Sequence, residues 1–180
     1  MAPVTYHSEK FRELIVYVAE KMGDDPNFGD TTLNKVLYFT DFFGYKRLGK
    51  PVTGARYQKG QFGPTARALL PARRALEEGG DLHTERHRAG DTSRRVTRAE
   101  RSAQTDLFTE EELELVDDVI ERLRGRTALN VSALSHRESP GWNLVDMGED
   151  IPYSTALISS KAPSKETLAR GRERAARLGW

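Results

Sequence analysis

The side chains in this sequence best suited to acid–base or metal chemistry are its four histidines, at positions 7, 83, 87 and 136. His83 and His87 flank Glu85 on one face of a predicted strand, and two imidazoles with one carboxylate are a ligand set that zinc accepts. On a strand, however, this spacing spreads the three residues over about 13 Å, which is too far for one ion to bind them all. The pattern is more typical of a solvent-exposed strand face, so we predict no metal site.

His136 directly follows Ser135, but this pair does not indicate a catalytic serine. A nucleophile and its base have to meet in space, with a third group orienting the base, and adjacency along the chain does not provide that arrangement. The sequence has no GxSxG, HExxH, phosphate-binding loop or GxGxxG motif. It also has no cysteine, which excludes disulfides, thiolate nucleophiles and cysteine-based zinc sites. We therefore predict that the protein is not an enzyme and uses no cofactor.

A second set of polar residues interrupts an otherwise apolar stretch, LNKVLYFTDFF. Asn34, Tyr38, Asp41 and Tyr45 are spaced by four, three and four residues, which places them on one face of a helix. This stripe is either a surface for a ligand or partner, or a set of internal hydrogen bonds in a small core. Because buried polar groups have to be paired, we favour internal hydrogen bonds from Asn34 and Asp41 to neighbouring backbone or to tyrosine hydroxyl groups.

Basic side chains are concentrated in residues 81–101, where the pattern alternates on either side of a Gly90-Asp91 turn and predicts a β-hairpin. The arginines of this segment are Arg86, Arg88, Arg94, Arg95, Arg98 and Arg101. Six arginines against four acidic residues give the segment a net charge of +2. Such a hairpin could contact nucleic-acid phosphates, but we favour a solvated hairpin without a nucleic-acid ligand.

The predicted order of helix, helix, strand, helix and hairpin is also that of a winged-helix domain. This order gives an alternative function, a DNA-binding transcriptional regulator, in which a helix at residues 65–78 presents Arg67, Arg73 and Arg74 to the groove. Specific DNA-binding proteins usually concentrate more positive charge than this chain, which has 28 basic and 27 acidic residues and a formal net charge of +1. Nucleic acid is therefore a less favoured partner than protein.

The composition is typical of a soluble globular protein, with 31% charged and 37% hydrophobic residues and a mean hydropathy of −0.64. The length suits one domain, or one domain plus an appendage. The first residues, MAPVTYHSEKFREL, lack the basic and apolar regions of a signal peptide. No apolar run approaches the roughly 18 residues that a membrane span needs. We predict a cytoplasmic protein that does not associate with a membrane.

Periodicity and turn signals predict an α+β fold that is predominantly α-helical, a compact helical domain with a short strand and a β-hairpin in winged-helix-like order. The first predicted elements are a helix capped by Ser8, a second helix from Asp30 or Thr31 to about Leu48, a strand at 56–59, and a third helix at about 65–78 with Pro64 in its first turn. The hairpin follows. The last predicted elements are a fourth helix opened by a Thr109/Glu112 capping box, a short fifth helix stopped by Pro140, and a last helix capped by Ser164. The second helix and the hairpin therefore have to position the candidate residues.

Four stretches of the chain carry a family resemblance through their order and spacing: LNKVLYFTDFFGYKRLGKPVTG, YQKGQFGPTARAL, FTEEELELVDDVIERL and LSHRESPGWNLVDMGEDIPY. Together they resemble the Panacea domain, the SocA-like antitoxin domain of bacteria and their phages, over about residues 8–158. The residues that carry the resemblance are Leu33, Asn34, Lys35, Tyr38, Phe39 and Asp41 of the second helix, the Gly63-Pro64 turn, Leu134, Ser135 and His136, and the pair Pro140 and Trp142. One departure is Gly141, since proline and tryptophan are more often adjacent in the family.

This resemblance implies an antitoxin of a toxin–antitoxin system, which is not an enzyme and neutralises a cognate protein toxin encoded nearby by direct protein–protein binding. One similar protein acts as an adaptor that delivers its toxin to a AAA+ protease, so such a protease is a second partner to consider. The resemblance also implies a division into an antitoxin domain at residues 1–160 and a basic C-terminal helix at residues 161–180. It does not identify the toxin.

The apolar faces of the first, second and fourth helices have to form the core, so a toxin has to bind elsewhere. Tyrosine, tryptophan and arginine most often dominate the energy of protein interfaces. The predicted partner-binding residues are Tyr57, Phe62, Arg94, Arg95, Arg98 and Trp142. The alternative for Phe62 and Trp142 is that they close the ends of the core.

Overall fold

The structure is a computed structural model that describes residues 4–89, 92–159 and 164–179. These residues form, in chain order, helices α1 (Ser8–Met22) and α2 (Asp30–Leu48), strands β1 (Tyr57–Gly60) and β2 (Gly63–Ala66), helix α3 (Leu69–Glu78), strands β3 (Leu82–Ala89) and β4 (Thr92–Ala99), and helices α4 (Glu110–Leu123), α5 (Ala128–Glu138), α6 (Pro140–Leu144) and α7 (Lys165–Leu178), with 3₁₀ turns at Thr105–Leu107 and Tyr153–Leu157. The strands pair as two antiparallel two-stranded sheets. The predicted α+β, mostly helical fold is confirmed.

Helix α2 is the central helix of the fold. It packs against α1, α4, α5 and strand β2, and most of its residues are buried. A helix enclosed on several sides cannot have a solvent-facing polar face, which explains why its sequence is apolar nearly all round. Its polar side chains have to find partners inside the protein.

The helix ends follow the predicted signals only in part. Thr109 and Glu112 form the predicted capping box of α4, and Ser164 caps α7. The predicted caps of the first two helices are wrong. The N-cap of α1 is His7 and that of α2 is Gly29, and neither has a side-chain hydrogen bond to the helix.

Strand β2 corrects the prediction that Pro64 opens a helix. Gly63–Ala66 pairs with β1 in the register Tyr57↔Ala66 and Gly60↔Gly63, and α3 begins only at Leu69. Proline has no N–H to donate, but this is tolerated in a strand at the edge of a sheet. The free carbonyl of Pro64 and the N–H of Ala66 both bind side chains of α2, so contacts with α2 favour the strand over a helical turn.

The predicted hairpin is present as β3 and β4, paired from Leu82↔Ala99 to Ala89↔Thr92. Leu82 and Val96 are buried and join the hairpin to the core, and β4 packs against α1 and α2. The Gly90-Asp91 turn predicted between the strands lies outside the described residues. The hairpin is thus docked along one side of the helical core.

The C-terminal part of the described chain is a series of short elements. Helix α5 ends at Glu138 as predicted, but Pro140 then opens the further short helix α6, whose cap is Ser139. Helix α7 has no buried residue, and the proposed boundary at residues 160 and 161 lies outside the described residues. Among the helices that the structure describes, none combines the length and apolar character needed to cross a bilayer.

Candidate partner-binding site

The first motif residues of α2 hold the β1–β2 pair. The Asn34 side chain accepts a hydrogen bond from the N–H of Ala66 at 3.1 Å and donates one to the carbonyl of Asp30 at 3.0 Å. Lys35 is only 1% exposed, and its ammonium group donates to the carbonyl of Pro64 at 3.1 Å. The Asn34-Lys35 and Gly63-Pro64 motifs, which are distant in sequence, are therefore in direct contact.

At Gly63 this pair of strands closely approaches α2 and α5. Its φ of +101° lies in a region that other residues rarely adopt. A Cβ atom at Gly63 would collide with Ser135 Oγ and lie 2.7 Å from Lys35 Cε. The structure thus explains why a glycine stands between Lys35 and the Ser135-His136 motif.

We expect a Gly63→Ala variant to lose about 2–4 kcal/mol of unfolding free energy, since backbone strain and overpacking each cost about 1–3 kcal/mol. The matched control is Gly80→Ala, because Gly80 also has a positive φ, of +74°, but no atom within 4 Å of its virtual Cβ. Urea unfolding of both variants separates the cost of backbone strain, which both variants have, from the cost of overpacking, which only Gly63→Ala has. Equal losses would show that contact with Lys35 and Ser135 contributes nothing.

Asp41 has the internal hydrogen bonds predicted for the polar stripe. It is fully buried, and its carboxylate accepts hydrogen bonds from the N–H and hydroxyl group of Thr53, both at 2.6 Å, from the N–H of Gly54 at 3.4 Å and from the Tyr57 hydroxyl at 2.8 Å. Burial raises the pKa of Asp41, and these hydrogen bonds oppose that rise. Asp41 therefore fixes the chain that leads from α2 into β1.

Tyr57 is wrongly predicted as a surface residue for a partner. It is 1% exposed, and its hydroxyl donates to Asp41 and to the carbonyl of Leu37 at 2.8 Å. Its ring lies edge-on to those of Tyr38 and Phe42. Burial raises the pKa of Tyr57 well above its ordinary value, so the hydroxyl keeps the proton that it donates. The alternation of side chains along so short a strand did not reveal that the face of β1 with Tyr57 is turned toward the core.

The middle of α2 is joined to the start of α6. The hydroxyl groups of Tyr38 and Ser139 share a short hydrogen bond, and Ser139 Oγ also accepts from the N–H of Trp142 at 3.3 Å. Sequence reasoning missed Ser139, although a serine directly before a proline is an ordinary signal for a helix start. Tyr45, the last residue of the predicted stripe, packs its ring 5.6 Å from that of Tyr153.

His136 and Trp142 form an aromatic pair next to Lys59. Their rings stack with centroids 4.0 Å apart, and the Lys59 ammonium group lies 4.6 Å from the Trp142 ring. Burial lowers the pKa of His136, and the nearby charges of Lys35 and Lys59 lower it further. The imidazole is therefore held neutral, which suits a packing role. Lys59 gave no signal in the sequence, because only the fold brings it to Trp142.

A family model described as the SocA-like antitoxin, Panacea domain, matches residues 33–143, which is more than half of the chain. The chain belongs to this antitoxin family. The match runs from α2 to α6 and includes each motif residue described above. It is shorter than the resemblance over residues 8–158, which nonetheless pointed to the same family. The chain matches neither a curated protein nor a solved structure.

The extra glycine of this Panacea domain, Gly141, also has a structural reason. It is buried, and a Cβ atom there would lie 2.6 Å from Ile151 Cγ2 and collide with Thr155. Gly141 thus lets α6 pack closely against the segment that follows it, while Pro140 and Trp142 keep their positions on either side.

Phe62 is the most prominent predicted partner residue on the surface of the Panacea domain. It is 64% exposed and lies in the turn between β1 and β2. The Ser132 hydroxyl donates to the Phe62 carbonyl at 3.0 Å, and Trp142 Nε1 donates to the Gly60 carbonyl at 3.1 Å. Helices α5 and α6 therefore hold the turn from both sides, while the Phe62 ring remains in solvent.

Exposed apolar side chains occur on the elements that hold this turn. We use the name turn surface for Phe62, Leu129, Trp142, Leu144 and Met147. Apart from half-buried Trp142, each of these side chains is more than half exposed. The 142–148 segment is tied to β1, next to the turn, because Lys59 Nζ donates to the Val145 carbonyl at 2.9 Å and the Lys59 carbonyl accepts from the N–H of Gly148.

The hairpin arginines are more engaged within the protein than the sequence suggested. Arg94 packs over Gly29, and its guanidinium group donates to the Pro26 carbonyl. Arg95 lies 3.7 Å from the carboxylate of Asp30. Arg98 binds Glu85 at 3.3 Å, and Arg101 binds Glu13 and Asp81 at 2.6 Å. In the described part of the chain, no hydrogen bond or ion pair joins Arg94, Arg95 or Arg98 to the turn surface.

Two arginines that the DNA-binding alternative assigns to a recognition helix also have internal partners. Arg73 is 3% exposed and binds Asp30 at 2.6 Å. Arg67 precedes α3 and binds Asp150 at 2.6 Å. Arg73 would have to break its buried ion pair before reaching a phosphate, and Arg67 does not lie on α3, so the geometry does not favour α3 as a groove-binding helix.

Proposed function

We propose that this Panacea domain is an antitoxin that neutralises a cognate protein toxin by binding it directly through the turn surface. The observation that supports the proposal is the exposed aromatic ring of Phe62 on a turn whose backbone is fixed by Ser132 and Trp142. An apolar anchor held rigidly before binding loses little conformational entropy in a complex. Exposed aromatic anchors of this kind often dominate interface energy.

The composition of the turn surface fits a protein partner better than a small molecule. Its apolar side chains lie on the β1–β2 turn, α5, α6 and the segment after α6, and exposed apolar surface of this kind is typical of protein-binding sites. Lys59 adds one cationic group beside Trp142. The expected toxin therefore presents an apolar pocket for Phe62 with acidic groups near its rim.

The toxin is expected to be the product of a neighbouring reading frame. Co-expression of this chain should restore growth to cells that produce that product, and the two proteins should copurify. Continued growth arrest in the presence of soluble, folded antitoxin would contradict neutralisation by this chain.

A Phe62→Ala variant is expected to bind the toxin about 30-fold more weakly, the effect of losing about 2 kcal/mol at an interface anchor. Its melting temperature should stay near that of the unmodified protein, because the ring is largely in solvent. Affinity can be measured by calorimetry and neutralisation by growth rescue with the same variant.

The matched control is Leu70→Ala, which removes an exposed apolar side chain from α3, outside the turn surface. This control should change neither affinity nor growth rescue. A toxin bound with unchanged affinity by the Phe62 variant would place the interface elsewhere, on the basic hairpin or on α7.

A further inference from the structure

A cleft of about 760 Å³ lies between the hairpin and the first turns of α2 and α5. Arg86, Arg94 and Arg95 line it from the hairpin side, and Asp30, Thr31 and Thr32 line it from α2. The volume lies within the range of small-molecule sites. This cleft does not belong to the turn surface, although Leu129 borders both.

The positive charge in the cleft is only partly balanced. Arg86 and Arg95 stand directly opposite each other on β3 and β4, and like charges in that position repel. Among the described residues, the one carboxylate that lines the cleft is that of Asp30, and it is shared between Arg73 at 2.6 Å and Arg95 at 3.7 Å. Within the described residues Arg86 has no ion-pair partner. An anion bound between Arg86 and Arg95 would remove this repulsion.

The start of α2 adds donors that have no partner among the residues that the structure describes. This 19-residue helix has Gly29 as its N-cap and no capping side chain, so its first N–H groups are available at the positive end of the helix dipole. Thr32 lines the cleft and is 1% exposed, yet its hydroxyl group has no hydrogen-bond partner among the described residues. The Nε of Arg94 is also buried and has no hydrogen-bond partner in the described part of the chain. Buried polar groups without partners are uncommon and costly.

We propose that this cleft binds the phosphate group of a phosphorylated small molecule. The phosphate oxygens accept hydrogen bonds from the guanidinium groups of Arg86 and Arg95, from the first N–H groups of α2 and from the Thr32 hydroxyl group. Arginine binds phosphate with two parallel hydrogen bonds, and a helix N-terminus is a favourable place for that charge.

A small ligand fits the cleft better than a nucleic-acid backbone does. Duplex binding needs cations spread along several phosphates, whereas Arg98 and Arg101 at the base of the hairpin are bound to carboxylates. Three of the other hairpin arginines, Arg86, Arg94 and Arg95, line one concave site, with the helix N-terminus at its side.

The proposal is tested by calorimetry in about 0.15 M salt with inorganic phosphate, AMP, adenosine and a 20-base-pair DNA duplex as probes. Phosphate or AMP should bind and adenosine should not. An Arg86→Ala variant should weaken that binding at least about tenfold, the effect of one charge-assisted hydrogen-bonded pair. The matched control is Arg88→Ala, which removes an exposed arginine of the same strand that does not line the cleft.

A Thr32→Val variant separates binding from folding. Because the hydroxyl group has no partner among the described residues, the variant should melt no lower than the unmodified chain, while its phosphate affinity should fall about tenfold. Three outcomes overturn the proposal: no binding of phosphate or AMP, equal losses in the Arg86 and Arg88 variants, or a preference for the DNA duplex with steep salt dependence.

Discussion

An Asp41→Ala variant is expected to lose about 3–5 kcal/mol of unfolding free energy. Three hydrogen-bond donors around the carboxylate lose their buried acceptor, and each unpaired donor costs about 1–3 kcal/mol. Relaxation of the surrounding structure offsets part of this cost. These donors are the N–H and hydroxyl group of Thr53 and the hydroxyl group of Tyr57. Tyr57 keeps a second acceptor, the carbonyl of Leu37, so the N–H of Thr53 should account for much of the loss. Many small domains have a total stability not much larger than this.

The matched control is Asp118→Ala, which removes a largely exposed aspartate that binds Arg47 at 3.1 Å on the protein surface. Exposed ion pairs of this kind contribute at most about 1 kcal/mol. Urea unfolding followed by circular dichroism measures both variants. A loss below 1 kcal/mol for Asp41→Ala would mean that the carboxylate is not a structural acceptor. Toxin affinity, corrected for the folded fraction, should be unchanged, whereas a specific loss of binding would place Asp41 in the interface.

The second large effect concerns Lys35, whose burial should make the stability of the protein depend on alkaline pH. Burial lowers its pKa from 10.5 to about 7. Between these two values the unfolded chain binds a proton at Lys35 that the folded protein does not bind. Unfolding therefore takes up a proton, and the free energy of unfolding rises with pH. Below pH 7 both states hold the proton, so this contribution no longer changes.

From pH 7 to pH 9 this coupling should raise the free energy of unfolding by about 2 kcal/mol, since a full proton corresponds to about 1.4 kcal/mol per pH unit. A Lys35→Met variant removes the titrating group and should lose that rise. Lys46→Met, which removes an exposed lysine from the same helix, should keep it. Urea unfolding at pH 7, 8 and 9 provides the comparison. A rise of equal size in the Lys35→Met variant would show that another group causes it.

The sequence by itself determined the parts of the structure that depend on neighbouring residues. Some features need only a few consecutive side chains, and they are present in the structure. These are the apolar spacing of α1 and α4, the Thr109/Glu112 capping box, and the alternation of side chains in the hairpin. The demand that a buried carboxylate has to be paired likewise predicted internal hydrogen bonds for Asp41. The order of the motifs predicted the family. The motif residues contact one another in the folded protein, although their positions along the chain do not show these contacts.

The tertiary structure alone decided which distant groups meet. The local sequence from Pro64 onward favours a helix start. In the structure, however, the Asn34 side chain binds the N–H of Ala66 and the Lys35 side chain binds the carbonyl of Pro64, and these two contacts stabilise a strand instead. The burial of Tyr57 follows from its hydrogen bond to Asp41. The cleft exists because the hairpin folds back over the start of α2. These outcomes depend on the relative free energies of contacts between residues far apart in sequence. The propensity of a short stretch for helix or strand carries no information about such contacts.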